Sequence, residues 1–231
     1  MKKKLILGII FLLPLSLVFF LNSGETTFKS LEIYYDLRNP EFDPSFLATK
    51  NCEPNFVDST WRVRDFALKD QNGRDFSLKN VEGKIFVANF ILTRCTNSIC
   101  PTMVSELVRV QEAFANPEND IHLVSFSIDP EYDTPEILQQ YATTYRANGD
   151  YWHFLTGEKA QIYAQAHCSY FVAAQNQGDY STIDHADKLI LVDKEKRIRG
   201  YYSGTSRQEV DRLITEIQLL LKEYEAKNRE K

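Results

Sequence analysis

Several residue types and patterns are scarce in this sequence, and each scarcity excludes a class of protein. The 231 residues include four cysteines, too few for a miniprotein held together by disulfides. No internal repeat or low-complexity tract occurs, so nothing indicates a repeat protein. Beyond Lys2–Lys4 there is no basic run, and the remainder has 24 basic and 32 acidic residues, a net charge of −8. This acidity argues against nucleic acid and anionic lipid surfaces as partners.

The N-terminal segment has the pattern of an export signal, because Lys2–Lys4 precede an uncharged run from Leu5 to Leu21. We therefore expect residues 1–24 to be a signal-anchor or signal peptide, with the rest on the extracytoplasmic, periplasmic side of the cell membrane. A helix over the run would span roughly 25 Å, slightly less than a hydrocarbon core. No small-x-small cleavage site stands out after Leu21, so we favour a single uncleaved anchor over a cleaved signal peptide.

Two of the cysteines, Cys95 and Cys100, lie between an apolar run and a helical pattern. The run from Ile85 to Leu92 is typical of a strand buried on both faces, and Pro101 suits the first turn of a helix. Both sulfurs would then lie near the amino end of a helix, which favours thiolate over thiol. A thiolate is required both of a nucleophile and of a copper ligand. A simple disulfide would stabilise this short loop little.

The remaining pattern predicts a tether over residues 25–59, one domain over 60–225 and a tail over 226–231. The domain begins with an N-terminal β-hairpin that turns at Asn72-Gly73. The other predicted elements are helices over Pro101–Ala115, Pro135–Arg146, Glu158–His167 and Arg207–Tyr224, and strands over Ile85–Leu92, His122–Ile128, Trp152–Leu155, Lys188–Val192 and Ile198–Tyr202. This order is that of an α/β, thioredoxin-like fold, with a central mixed sheet flanked by helices. The topology alone leaves the function open.

The other cysteines and two histidines have several interpretations. Cys52 and Cys168 could form a structural disulfide between tether and domain, could be unpaired and buried, or Cys168 could contact the loop thiols. His122 and His153 begin predicted strands and are interpreted as structural residues. Asp129 and Asp133 could support the cysteine site, although Asp133, beside Thr134, fits a helix cap equally well.

Five stretches of the chain carry a resemblance to a known family. They are Asn89–Cys95, Cys100–Met103, Ser127–Glu136, Phe154–Gly157, and Asp184-His185 ahead of the strand that ends at Asp193. Together they resemble the Sco/SenC family, membrane-tethered thioredoxin-like copper chaperones for cytochrome c oxidase assembly. The resemblance covers about residues 56–220.

The resemblance implies that Cys95, Cys100 and His185 bind a single copper ion, as Cu(I) or Cu(II). The chain would take copper from a donor protein and deliver it to the copper-centre subunit of a respiratory oxidase, with no substrate turned over. Thiolates suit Cu(I), and an imidazole also allows Cu(II), whereas a closed zinc site would need a fourth ligand. The alternative function is a thiol-disulfide oxidoreductase, whose redox-active pair Cys95 and Cys100 reduces the cysteines of the acceptor site.

The cysteine loop departs from the family pattern. The family spaces its two cysteines with three residues between them, whereas Thr96–Ile99 make four here. The additional residue moves Cys95 relative to Cys100 and His185 but removes none of the three ligands. Dedicated oxidoreductases use a two-residue spacing, so the loop favours the chaperone over the oxidoreductase.

Overall fold

The computed structural model describes residues 30–95, 98–116, 121–172 and 187–229. In chain order the elements are α1 Ser45–Thr49, β1 Phe56–Val57, β2 Thr60–Trp61, β3 Ala67–Lys69, β4 Asp75–Ser77, a 3-10 helix Leu78–Val81, β5 Ile85–Ile91, α2 Ile99–Ala113, β6 Ile121–Ser127, α3 Pro135–Thr144, β7 Trp152–Leu155, α4 Lys159–Cys168, β8 Lys188–Val192, β9 Ile198–Ser203 and α5 Arg207–Arg229. The predicted elements are therefore present, with ends that differ by a few residues.

A five-stranded mixed sheet in the order β7-β6-β5-β8-β9 forms the centre of the domain. The strands β5, β6 and β7 are parallel, β8 is antiparallel to β5, and β9 is antiparallel to β8. All residues of β5 and β6 are buried. The nearly continuous apolar sequence of β5 predicts this burial, whereas β6 also buries His122, Ser125 and Ser127. The thioredoxin-like architecture predicted from the sequence is confirmed, including the N-terminal hairpin.

The sheet is covered on both faces. One face packs against α2, α3 and α5, and its core contains Met103, Leu107, Leu138 and Leu213. The other face packs against α4 and the β3-β4 hairpin, and its core includes Phe66, Phe76, Phe126 and Ile162. Alternate side chains of each central strand therefore enter different cores.

Local sequence signals explain two of these elements well. The hairpin turns where predicted, and Gly73 there has a φ of 73°, which glycine adopts without steric cost. Helix α3 begins where predicted, because Thr134 Oγ1 accepts a hydrogen bond from the Ile137 amide and Pro135 occupies the first helical position.

The segment over residues 31–61, here called the N-terminal arm, packs against the domain, although part of it was predicted to be a tether. Leu47 and Trp61 are buried in the same core as the hairpin. The Arg199 guanidinium donates to the carbonyl oxygens of Leu31 and Glu32 at 2.7 and 3.0 Å. The predicted limits of anchor, tether, domain and tail stay predictions, and the Leu5–Leu21 run lies outside the described residues.

A disulfide joins the arm to the domain. It links Cys52 to Cys168, the last residue of α4, with a Cα–Cα distance of 5.5 Å. Of the three alternatives left open by the sequence, the structure contains the structural disulfide between Cys52 and Cys168. Among the described residues, no helix combines the length and apolar character needed to cross a membrane.

Candidate metal centre

Cys95 and Cys100 lie at the carboxyl end of the central strand β5. The Cys95 amide donates to the Leu92 carbonyl at 3.2 Å in the turn that follows the strand. Cys100 is the second residue of α2 and is 2% exposed, whereas Cys95 is half-buried. A hydrogen bond joins the two thiols. The loop therefore brings both sulfurs together despite its four intervening residues, of which Thr96 and Asn97 lie outside the described part of the chain.

Burial controls the protonation of the inner thiol. Burial and the hydrogen bond with Cys95 raise the pKa of Cys100 to about 12, although a backbone hydrogen bond at Leu92 acts in the opposite direction. The expectation that the position near the amino end of the helix favours thiolate over thiol therefore does not hold for metal-free Cys100. Desolvation of a buried thiolate outweighs the partial charge of a helix terminus at this position.

A buried carboxylate binds the start of the cysteine loop through hydrogen bonds. Asp133 is fully buried; it accepts a hydrogen bond from Ser127 Oγ at 2.5 Å and another from Thr93 Oγ1. The Thr93 amide also donates to Asp133, at 3.5 Å. Burial raises the pKa of Asp133, and the bonds from Ser127 and Thr93 act in the opposite direction. Asp133 thus connects the ends of β5 and β6 two residues before Cys95.

A second acid binds the residue directly before Cys95. Arg94 donates from Nε to Asp129 Oδ2 at 2.8 Å, and its Nη2 lies 2.6 Å from the same oxygen. The guanidinium also lies over the Tyr132 ring, 4.4 Å from its centroid. Sequence reasoning considered Asp129 and Asp133 as supporting groups but missed Thr93 and Arg94. The available signal was that β5 and β6 are parallel neighbours, whose carboxyl ends meet at one edge.

The third predicted ligand, His185, lies outside the described residues. The chain is described again from Asp187, whose carbonyl oxygen accepts a hydrogen bond from the Gly204 amide at 2.5 Å. A Cβ placed on Gly204 would lie 2.6 Å from Met103 Cγ and 3.1 Å from the Asp187 oxygen. Asp187 is therefore close to the first turns of α2, at the edge of the sheet where the cysteine loop lies.

The donor set can be compared with the requirements of metals. Within residues 30–95, 98–116, 121–172 and 187–229, no group of three or more histidine, cysteine or acidic side chains could hold a metal ion. Cys95 and Cys100 by themselves supply two neighbouring sulfur donors. Such soft donors fit Cu(I), and Cys95 is the less buried of the two.

These features define the class of protein: a thioredoxin-like domain with a dithiol where its first central strand meets its first central helix. A family model described as SCO1/SenC matches residues 58–222, and the chain belongs to this family. The match includes both cysteines and His185.

Relatives and solved structures agree with this assignment. The SCO1 protein homolog of Bacillus subtilis is 28% identical over 158 residues, which cover 68% of this chain and 81% of the relative. A solved structure of BsSco, described as a member of the Sco family of cytochrome c oxidase assembly proteins with a disulfide switch, is 27% identical, has a TM-score of 0.63, and the match covers 74% of this chain and 97% of that one. The structure of Bradyrhizobium japonicum ScoI with copper bound is 26% identical, has a TM-score of 0.57, and the match covers 69% and 99% of the two chains.

Proposed function

We propose that this chain is a membrane-tethered metallochaperone that binds copper and delivers it to the copper centre of a respiratory cytochrome c oxidase. The observation that carries the proposal is the hydrogen-bonded pair of thiols at the junction of β5 and α2. Two adjacent sulfurs are the donors that Cu(I) prefers. The copper bound to the related ScoI and the family's link to oxidase assembly support the same conclusion.

His185 is proposed as the third ligand of one copper ion per chain. The position of Asp187 supports this role, because Asp187 lies at the edge of the sheet that carries Cys95 and Cys100 and follows His185 by two residues in the sequence. An imidazole nitrogen added to two thiolates would allow the site to hold Cu(II) as well as Cu(I).

The tether and the direction of transfer complete the proposal. The Leu5–Leu21 run would anchor the chain in the cell membrane, with the domain on the periplasmic side. A donor protein would supply copper, and the oxidase subunit would receive it by exchange of ligands. Cys95 is the more exposed of the two thiols, so it would be the first to meet the incoming ligands.

Copper titration of the reduced full-length chain tests this function. We expect one tightly bound copper per chain, held through the thiolates. This tight binding should be lost in Cys95→Ser and Cys100→Ser and weakened in His185→Ala. His167→Ala provides the matched control, because His167 is exposed near the end of α4 and its Nε2 donates to the Lys50 carbonyl oxygen, away from the cysteine loop. Tight copper binding that survives Cys100→Ser would exclude the site.

The anchor is tested separately. If Leu5–Leu21 is kept, the full-length chain should remain with membranes through a carbonate wash and retain its native N-terminus by mass. A soluble chain that begins near Ser23 would show that the segment is a cleaved signal peptide.

The hydrogen bond between the thiols also favours the second candidate, a thiol-disulfide oxidoreductase. Half-buried Cys95 would attack a disulfide of the acceptor, and Cys100 would resolve the mixed disulfide. Alkylation mass spectrometry after mild oxidation should find Cys95 joined to Cys100, with copper protecting both thiols. If oxidation leaves Cys95 free, the copper ligands and the redox pair must both be reassigned.

A further inference from the structure

Two histidines face each other at the end of the sheet opposite to the cysteines. His122 and His153 are the second residues of β6 and β7, and they are diagonal neighbours on the face that carries the hairpin. His122 Nδ1 lies 3.3 Å from His153 Nε2. The rings are within 11° of parallel, with centroids 5.5 Å apart.

These distances fix how the rings are aligned. The distance between the ring centroids is longer than the distance between the two nitrogens. The difference is close to twice the distance from a ring nitrogen to the centre of its own ring. The line between the two nitrogens therefore passes through both rings. Each nitrogen points in the plane of its ring directly at the other, so a single proton lies between them.

Lys84 sets the position of that proton. Its Nζ lies 3.1 Å from His122 Nε2, and an ammonium group can only donate, so His122 Nε2 accepts. His122 then carries its proton on Nδ1 and donates to His153 Nε2. The remaining proton of neutral His153 is on Nδ1, which is buried and has no hydrogen-bond partner in the described part of the chain. His153 Nε2 is therefore unprotonated and presents its lone pair to His122.

We propose that His122 and His153 form a second metal site, in which a monovalent d10 cation such as Cu(I) replaces the proton between the two nitrogens. Imidazole suits copper, and the head-to-head alignment is the one that two-coordinate ligation requires. Bonds of about 2.0 Å from metal to imidazole nitrogen would need a nitrogen separation of about 4 Å. The rings would have to part by less than about 1 Å from the observed 3.3 Å, and β7 is an edge strand.

Metal binding requires His122 to carry its proton on the other ring nitrogen, and Lys84 opposes this change. His153 already presents an unprotonated Nε2. His122 must move its proton from Nδ1 to Nε2, after which it can no longer accept from Lys84. Lys84 is half-buried and can turn towards solvent. Its ammonium group therefore opposes metal binding, both by holding the wrong tautomer and by its positive charge.

This site is separate from the proposed copper centre. His122 is paired with Phe86 near the start of β5, whereas Cys95 follows the end of that strand. The two ends of a seven-residue strand are about 20 Å apart. No ligand is shared, and two imidazoles hold Cu(I) less tightly than two thiolates. The tight binding assigned to the cysteines and the weaker binding assigned here can therefore fail independently.

Silver titration provides the test, with Ag(I) as the probe for Cu(I). The full-length chain carrying Cys95→Ser and Cys100→Ser should bind one Ag(I) by calorimetry, with shifts of the ring nitrogens of His122 and His153 in NMR spectra. His153→Phe should weaken binding at least about 10-fold, and Lys84→Gln should strengthen it about 10-fold. His167→Gln, which changes an exposed histidine elsewhere, should leave binding unchanged.

Far-UV circular dichroism shows whether each variant is folded. Should His153→Phe fail to fold, His153→Gln and Lys84→Gln give the same test with smaller changes in volume. Silver binding that is equal in the His153 variants and their parent would overturn the proposal. Unchanged binding in a folded Lys84→Gln variant would also contradict it, because the lysine is then not a competitor.

Discussion

The disulfide between Cys52 and Cys168 permits a quantitative prediction. Its two cysteines are 116 residues apart in the sequence. In the chain-entropy model, closing a loop of about 100 residues stabilises the folded state by about 4.7 kcal/mol, because it restricts the unfolded chain. Replacing both cysteines by serine should therefore reduce the free energy of unfolding by about 4 to 5 kcal/mol.

Contacts on both sides of the disulfide indicate that the folded arm would stay in place without it. His167 Nε2 lies 3.1 Å from the Lys50 carbonyl oxygen, and Trp61 Nε1 donates to the Ser169 carbonyl at 3.2 Å. Trp61 is also fully buried. The expected loss arises mainly in the unfolded state, so the native circular dichroism spectrum should be unchanged.

Urea denaturation followed by circular dichroism, with and without reductant, measures this effect. If the free energy of unfolding falls by about 2 kcal/mol per molar urea, the midpoint of unfolding should fall by about 2 M urea. Reductant should lower the midpoint of the parent protein and leave the Cys52→Ser/Cys168→Ser variant unaffected. The matched control, Cys95→Ser/Cys100→Ser, should still respond to reductant. The reasoning would be refuted if the Cys52/Cys168 variant stayed within about 1 kcal/mol of the parent.

Three further substitutions test other contacts. In the metal-free protein, burial and the neighbouring imidazole lower the pKa of His153 from 6.5 to about 4. The stabilisation that comes from keeping His153 neutral is therefore complete above pH 6.5 and is lost as the pH falls through 4. In urea denaturation at several pH values, His153→Phe should remove about 3 kcal/mol of that loss. An unchanged dependence of stability on pH would contradict the lowered pKa of His153. Asp133→Asn should cost about 1 to 3 kcal/mol and speed hydrogen exchange of the Thr93 amide, which a merely exposed carboxylate would not do. Arg199→Leu should cost about 3 to 5 kcal/mol by urea denaturation, whereas the exposed Arg38→Leu should cost under about 1 kcal/mol; similar losses would show that burial of Arg199 does not matter.

The family and most of the local structure could be predicted from the sequence. The turn at Asn72-Gly73 and the start of α3 at Thr134 rest on residues whose conformational preferences act over a few positions. The buried strand β5 was visible as a continuous apolar run. The cysteine pair could be located because it lies directly between that strand and a helical pattern.

Part of the candidate site depended on neighbours that are distant in the sequence. The role of Asp133 required β5 and β6 to lie side by side, so that its carboxylate reaches Thr93 forty residues away. The raised pKa of Cys100 could not be predicted from the sequence, because it depends on how deeply the start of α2 is buried. His185 stays a prediction, because the structure does not describe the segment that carries it.

By itself, the sequence determined the order of strands and helices, the thioredoxin-like class, the family, and the position of the two loop thiols, because these depend on short-range patterns. Only the tertiary structure decided that Cys52 pairs with Cys168, that the N-terminal arm is part of the domain, and that His122 faces His153. Each of these depends on distances between segments that are far apart along the chain. Such distances are set by the packing of the whole core, which no local pattern encodes.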